Sequence, residues 1–227
     1  MSQLLLAVDT SGKNGSITLA QAASGRGEVE VLEVAPLTGG AFSSELVPRI
    51  AALLERHGRG KGDLGALVVA SGPGSFTGLR VGLAAVKALS EALQKPIVSV
   101  SLLEAVAWGG ASGGRVLAAL DAGRGDLYVG DYELGGAVPL MHSERLFSRE
   151  EFLRLAVGMI VVTPDARLVE LARGAGIRCT QIDNPDAGAI ARLGWKHLER
   201  GETVRAEDLE ANYIRRSDAE IFAKPSP

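Results

Sequence analysis

Cysteine is nearly absent from this sequence, which has Cys179 alone among its 227 residues. A single cysteine cannot form an internal disulfide, and no cysteine cluster is available to bind zinc. No apolar run approaches the ~20 residues that a membrane-spanning helix needs. The apolar start of the chain is interrupted by Asp9 and is too short for a signal peptide. These absences predict a protein of the reducing cytoplasm with no membrane partner.

An excess of basic residues is also lacking, because 24 Lys and Arg stand against 27 Asp and Glu. Binding to the phosphates of nucleic acid needs concentrated Lys and Arg, so the chain is not expected to bind nucleic acid without a partner. The three histidines, His57, His142 and His197, have no metal-ligand spacing, and we interpret each as a surface residue. Since no Gly-x-Ser-x-Gly motif is present either, the sequence predicts no metal site and no catalytic residue.

The apolar and charged fractions, 46% and 22%, are ordinary for a globular protein, and the 29 glycines predict many tight turns. Hydrophobic periodicity in the first half predicts strand, strand, strand, helix, strand, helix, strand and helix. The predicted strands are 4–8, 16–20, 28–34, 66–70 and 97–100, and the helices are 43–57, 77–94 and 102–108. Ser43 or Ser44 is expected to cap the first of these helices.

The second half repeats the order of these elements without obvious sequence identity. Strands are predicted at 116–120, 126–132, 138–146 and 159–162, with helices at 149–157 and 186–200. Asp9 and Asp121 each end the first strand of a half. We therefore predict an α/β fold with a duplicated β-β-β-α-β-α unit, divided into lobes 1–101 and 102–227. The polar tail from Glu210 onward is expected to end in mobile residues.

Residues 71–80, Ser-Gly-Pro-Gly-Ser-Phe-Thr-Gly-Leu-Arg, follow a strand and open a helix. Pro73-Gly74 predicts a type II turn with positive φ at Gly74, and Ser75 or Thr77 can cap the helix. Exposed N–H groups there could hold an anion. The plain alternative is a turn that binds nothing, and loop chemistry alone favours it.

The helix after this loop is apolar on most of its surface, which is typical of a helix buried on more than one side. Leu79, Leu83 and Val86 share one face, and small residues cover much of the rest. The second buried side faces either another protein or another part of the same domain, and the sequence alone leaves both open.

Polar residues follow the first strand of each half, where α/β folds place ligands. Asp9, Thr10, Ser11 and Asp121 are therefore candidates for a phosphate, nucleotide or Mg²⁺ site, although each aspartate could simply cap a turn. Arg124, Asp126 and Tyr128 follow Asp121 and could form a polar cluster, with pairing of Arg124 and Asp126 as the plain alternative. The pair at 215–216 is interpreted as a solvated tail feature.

The string Gly-Pro-Gly-Ser-Phe-Thr-Gly-Leu-Arg at 72–80 resembles the YeaZ/TsaB family. Three more segments agree with that family in order: 6–11 with its opening strand, 120–128 with its central segment, and 212–215 with its C-terminal Tyr-Leu-Arg. The central segment departs from the family pattern, because a glycine is inserted before Arg124 and Asp126 replaces glutamate.

The resemblance implies an actin/Hsp70/sugar-kinase (ASKHA) fold and a role in making N6-threonylcarbamoyladenosine at position 37 of tRNAs that read ANN codons. It implies a non-catalytic scaffold or activator that pairs with the transferring subunit TsaD, is joined by the ATPase subunit TsaE, and meets tRNA only indirectly. A homodimer is expected when the chain is alone. The catalytic relative carries a His-x-x-x-His metal motif, and the corresponding residues 42–48 contain no histidine. No cofactor of its own is expected, with ATP and Mg²⁺ only in the assembled complex.

The family pairs through its first two helices, which implies a helix bundle with the partner. The expected partner-binding residues are Leu46, Ile50, Leu53, Phe76, Leu79, Arg80, Leu83 and Val86. The rival hypothesis is an ATP-binding phosphotransferase or ATPase that uses the Asp9 and Asp121 sites, for which residues 173–176 (Arg-Gly-Ala-Gly) are a poor adenosine loop. A peptidase is a weaker third hypothesis, since no catalytic constellation supports it.

Overall fold

The computed structural model describes residues 2–23, 28–110 and 113–215, in which two copies of a β-β-β-α-β-α-β-α unit follow each other. The first copy comprises β1 Ser2–Asp9, β2 Gly15–Ala23, β3 Val29–Leu37, α1 Phe42–Arg56, β4 Leu64–Gly72, α2 Phe76–Leu93, β5 Ile97–Ser101 and α3 Leu102–Gly110. The second comprises β6 Gly114–Gly123, β7 Asp126–Leu134, β8 Leu140–Ser148, α4 Arg149–Leu155, β9 Ile160–Thr163, α5 Ala166–Gly174, β10 Arg178–Gln181 and α6 Ala187–Glu199.

Each copy forms one five-stranded sheet, and the two sheets have the same strand order. The orders are β3-β2-β1-β4-β5 and β8-β7-β6-β9-β10, with the first three strands antiparallel and the others parallel. The predicted duplication is therefore confirmed. All eight elements of the first half were predicted, whereas in the second half the sequence analysis missed α5 and β10.

The central strands are buried on both faces because helices cover both sides of each sheet. In β1, Leu4, Leu6 and Val8 face α1 and α2, whereas Leu5 and Ala7 face α6. The second sheet is covered by α3 on one face and by α4 and α5 on the other. The molecule is thus five layers deep, with α3 and α6 in contact between the sheets.

The two halves exchange helices. The predicted boundary between residues 101 and 102 coincides with the β5–α3 junction, yet α3 packs on the second sheet and α6 on the first. α6 can approach β4 closely because Gly194 has no side chain. A Cβ at that position would lie only 2.3 Å from the Val68 side chain. The predicted division into 1–101 and 102–227 places α3 in the same lobe as the sheet on which it packs, whereas α6 lies in the second lobe and packs on the first sheet. Residues 216–227, where the tail was expected to be mobile, lie outside the described residues.

Two helix caps differ in how well the sequence predicted them. The expected cap at Ser43 or Ser44 is wrong, because α1 begins after Ala41 without a side-chain cap. The alternative at Ser75 is confirmed, since its hydroxyl accepts a hydrogen bond from the Gly78 N–H at 3.3 Å. None of the helices in the described ranges is long and apolar enough to cross a membrane.

His197 on α6 is not the simple surface residue that the sequence predicted. Its ring nitrogens lie 2.8 Å from Glu104 on α3 and 2.6 Å from Glu202. Burial opposes the imidazolium, but the hydrogen bonds and charges of the two carboxylates outweigh it and raise the pKa of His197. The imidazole therefore ties α3 to α6 in the layer between the sheets.

The start of α2 lies against the end of β1 at a distance that only glycine allows. The Thr10 hydroxyl donates to the Gly78 carbonyl at 2.8 Å. A Cβ on Gly78 would lie 2.1 Å from the Thr10 carbonyl oxygen, and one on Gly82 would lie 2.3 Å from the Thr10 hydroxyl. The position of α2 thus depends on two glycines one turn apart.

We predict that Gly78→Ala lowers the free energy of unfolding by about 1–3 kcal/mol, the usual cost of forcing an extra methyl into a packed region. The matched control is Gly174→Ala at the end of α5, where a Cβ meets no atom within 4 Å. It is expected to leave stability unchanged or raise it by up to about 1 kcal/mol, because alanine favours the helix. Urea unfolding monitored by circular dichroism measures both, and equal effects in the two variants would contradict the packing argument.

Candidate functional site

A cleft of about 1070 Å³ opens between the two halves, at the ends of β1 and β6. Ser11 and Lys13 line it from the β1–β2 turn, Thr77 from the start of α2, and Asp121 from the end of β6. It adjoins a smaller cavity of about 370 Å³ that is also lined by Ser11 and Asp121. The volume of the cleft is close to the upper end of the range found for small-molecule sites.

Only two of the four predicted nucleotide-binding residues reach this cleft. Ser11 and Asp121 line it, whereas Asp9 and Thr10 are buried below it. The Asp9 carboxylate accepts hydrogen bonds from the Ser11 N–H at 2.8 Å and the Ser11 hydroxyl at 2.6 Å. Asp121 likewise accepts from the Gly123 N–H at 2.9 Å. Both aspartates therefore make the local turn contacts that were the plain alternative.

Burial raises the pKa of Asp9, and the hydrogen bonds from Ser11 only partly offset it. The nearby charge of Asp186 raises this pKa further. A carboxyl that holds its proton more tightly than an exposed aspartate is a poorer ligand for Mg²⁺. Within the described residues, no group of three His, Cys, Asp or Glu side chains could hold a metal ion.

The glycine loop differs in geometry from the predicted turn. The Gly72–Pro73 peptide is cis and positive φ falls on Gly72, at 116°, so the predicted positive φ at Gly74 is wrong. Gly74 is needed for another reason, because its Cβ would lie 2.3 Å from the Ser11 carbonyl oxygen. The Ser75 N–H donates to that same oxygen at 2.6 Å. One of the N–H groups expected to hold an anion is therefore used within the protein.

The weak adenosine-loop candidate lies elsewhere. Residues 173–176 are exposed at the end of α5 and are not among the residues that line the cleft. Residues 173–176 therefore do not form an adenosine-binding loop in the described part of the cleft.

Most of the predicted partner-binding side chains belong to the chain's own core. Six of the eight are at most 6% exposed and pack among themselves and against the first sheet: Leu46, Ile50, Leu53, Leu79, Leu83 and Val86. The expectation of direct partner contact is corrected for these six, because side chains already covered by the core cannot also meet a second protein. Phe76, at 39% exposure, and the exposed Arg80 remain accessible.

The opposite side of the two helices carries small or apolar residues in solvent, which we call the outer face: Val47, Pro48, Ala51, Ala84, Ala88 and Ala92. Val47 is 59% exposed. The spacing 76, 80, 84, 88, 92 makes one exposed i, i+4 ridge along α2. The sequence analysis left open that the side of α2 covered by small residues faces another protein, but it assigned the large apolar residues, rather than the alanines, to the partner. The regular spacing of the alanines was the signal that could have found it.

Tyr213 completes a cluster at the start of α2 that the sequence did not predict. The Arg80 guanidinium lies 3.8 Å over the Phe76 ring, and the Tyr213 ring centroid is 5.1 Å from that of Phe76. The Arg80 Nε–H donates to the Tyr213 hydroxyl at 3.2 Å. Arg215, interpreted as solvated, instead pairs with Asp126. Asp126, which the sequence analysis considered as a partner of Arg124, thus also binds a residue from the tail.

The sequence of this chain is similar to a protein-family model and to several known proteins. Residues 36–166 match the family model described as TsaD: tRNA N6-adenosine threonylcarbamoyltransferase. The tRNA threonylcarbamoyladenosine biosynthesis protein TsaB of Escherichia coli is 30% identical over 190 residues, which cover 78% of this chain and 82% of that protein. The TsaB of Bacillus subtilis is 35% identical over 130 residues, which cover 57% of this chain and 55% of that protein.

Solved structures point in the same direction. YeaZ from Pseudomonas aeruginosa superposes with a TM-score of 0.73 and 26% identity, covering 93% of this chain and 99% of that one. A second structure from the same organism, described as similar to peptidase YEAZ, has a TM-score of 0.74 and 27% identity and covers 94% and 100%. The predicted ASKHA-like architecture is therefore confirmed.

We predict that Asp9→Asn gains stability relative to the natural chain as the pH rises above about 4. Folding raises the pKa of Asp9, so over this window the folded chain binds a proton that the unfolded chain releases, and its stability falls with pH. Asparagine does not titrate, so the variant does not lose stability with rising pH at this position. Urea unfolding of both chains at about pH 4, 6 and 8 measures the difference. If the difference between the two free energies of unfolding stays constant with pH, folding does not shift the pKa of Asp9 and the prediction is wrong.

Proposed function

We propose, since this chain belongs to the TsaB family of tRNA threonylcarbamoyladenosine biosynthesis proteins, that it is a non-catalytic scaffold subunit. It pairs with the transferring subunit TsaD, is joined by the ATPase subunit TsaE, and forms a homodimer when alone. The complex works in the cytoplasm on position 37 of tRNAs that read ANN codons, and this chain meets tRNA only indirectly, through its partners.

The outer face of α1 and α2 is the observation that carries this proposal. Its residues are small or apolar yet exposed, and small side chains let two helices pack closely. Apolar residues grouped in solvent mark interaction surfaces. The Glu45–Arg49 ion pair belongs to the same helix as Val47 and Ala51, so charge borders the apolar residues as it does in protein interfaces.

A partner of related fold fits this face. The TsaD family model covers residues 36–166, a range that includes both helices of the outer face. A protein of the same fold would present equivalent helices, so two pairs of helices can pack as a pseudo-symmetric bundle. The same reasoning applies to a second copy of this chain, which accounts for the homodimer that we propose for the isolated protein.

The scaffold role is supported by how the ends of the strands are used. The polar groups at the end of β1 bind other groups of the protein. Ser11 donates to Asp9, and Thr10 donates to Gly78 at the start of α2. The stretch that corresponds to the metal motif of the catalytic relative, 42–48, contains no histidine. These residues serve structure in this chain, and we propose that the bond-making chemistry belongs to TsaD.

We predict that Ala84→Glu weakens binding to purified TsaD at least about tenfold, or about 1.4 kcal/mol. A carboxylate in the centre of an apolar interface loses water without gaining a partner. Because Ala84 is exposed, the isolated variant should keep the circular dichroism spectrum of the natural chain, whereas the buried Leu79→Glu should not. The matched control is Ala166→Glu, an exposed alanine on α5 of the other half. Calorimetric titration measures the TsaD affinity of both variants and circular dichroism measures their folding, and undiminished TsaD binding by Ala84→Glu would contradict the proposal.

A nucleotide-binding enzyme is the second candidate, and the cleft volume of about 1070 Å³ with Lys13 at its wall is the observation that favours it. We predict that the chain alone shows no micromolar binding of ATP with Mg²⁺ and no hydrolysis, because Asp9 and Thr10 are occupied within the protein. Calorimetric titration and a phosphate-release assay test this. Micromolar binding accompanied by hydrolysis would overturn the scaffold assignment and favour an ATPase or phosphotransferase.

A further inference from the structure

Residues 209–215, which we call the C-terminal strap, cross from one half of the molecule to the other. Leu209 is 1% exposed and lies in the core beneath α1 and α2. Ile214, five residues later, packs against the core of the second half beside Leu120 and Tyr128. The strap is therefore anchored by an apolar side chain in each half.

Asn212 in the middle of the strap is held by both halves. Its N–H donates to the Ser71 carbonyl at 2.8 Å, just before the glycine loop. Its side-chain amide donates to Glu144 on β8, and the same carboxylate accepts from the hydroxyls of Tyr132 and Ser101. Glu144 thus gathers donors from β5, β7 and the strap at the junction of the two halves.

The last two described contacts of the strap reach the proposed docking surface and the cleft. Tyr213, 42% exposed, stacks on Phe76 and accepts from Arg80. Arg215 donates to the Ala122 carbonyl at 3.0 Å and pairs with Asp126, both at the β6–β7 hairpin. The strap therefore connects the start of α2 directly to the second half.

We propose that Tyr213 is a further residue of the docking surface, and that the strap positions the start of α2 against the second half for TsaD to bind. The inference rests on the proposed function, whose outer face it extends. Phe76 and Arg80 lie on the same exposed ridge as Ala84 and Ala88, so a partner helix laid along the ridge meets the Tyr213 ring at its end. Tyr213 thereby contacts the partner, while Asn212 acts on it only by positioning the strap.

The test compares the TsaD affinity and the melting temperature of single variants. Tyr213→Ala is expected to weaken TsaD binding about tenfold while the isolated chain stays folded, since Tyr213 is 42% exposed and lies outside the core. Tyr213→Phe should retain most of the affinity because the stacking on Phe76 remains. Glu210→Ala, an exposed change in the same strap, is the matched control and should bind as the natural chain does.

A double-mutant cycle separates contact from mere stability. Phe76→Ala combined with Tyr213→Ala should weaken binding by less than the sum of the two single effects, since the two rings form one surface. If Tyr213→Ala does not fold, Tyr213→Leu keeps an apolar side chain, removes the stacking and the hydroxyl, and is expected to lose affinity in the same way. TsaD binding by Tyr213→Ala or Tyr213→Leu that equals binding by Glu210→Ala would overturn the inference.

The Ala84→Glu variant makes the two failures distinguishable. If Ala84→Glu weakens TsaD binding and the Tyr213 variants do not, the strap inference fails and the scaffold function stands. If Ala84→Glu binds TsaD as tightly as the natural chain, the docking function itself fails and the strap inference fails with it.

Discussion

The arrangement of this protein depends on the contact between the start of α2 and the end of β1. Gly74, Gly78 and Gly82 bring one backbone against the other, where a Cβ would lie between 2.1 and 2.3 Å from Ser11 or Thr10. This contact fixes α2 against the first sheet. Its large apolar side chains enter the core, and its alanine ridge is left in solvent. The glycines of the family motif are thus explained by close packing, with no ligand required.

The same contact determines what the cleft residues do. Thr10 bonds to Gly78, the Ser11 carbonyl accepts from Ser75, and Asp9 is buried beneath the turn that it caps. Groups that stand at the carboxyl end of a strand in an α/β fold are available to ligands only when the protein does not use them itself. In this chain they hold α2 in place. The structural role of the strand end and the exposure of the α2 ridge are therefore two results of one packing arrangement.

Much of the fold could be predicted because long apolar segments such as β1, β4 and α2 carry a strong periodic signal. β10 was missed because it has four residues and none of them is fully buried. Leu79 and Leu83 were assigned to a partner because burial against the chain's own sheet cannot be distinguished from burial against a partner by sequence alone. The pairing of Arg80 with Tyr213 spans 133 residues, and local patterns carry no information about such a contact.

The most direct measurement is amide hydrogen exchange of the full chain, alone and with purified TsaD. If the chain supplies a docking surface, exchange should slow in 76–93 and 42–56 on binding, while 121–126 at the cleft keeps its rate when ATP and Mg²⁺ are added to the chain alone. Exchange that slows at 121–126 with nucleotide, together with unchanged rates in both helices with TsaD, would contradict the account.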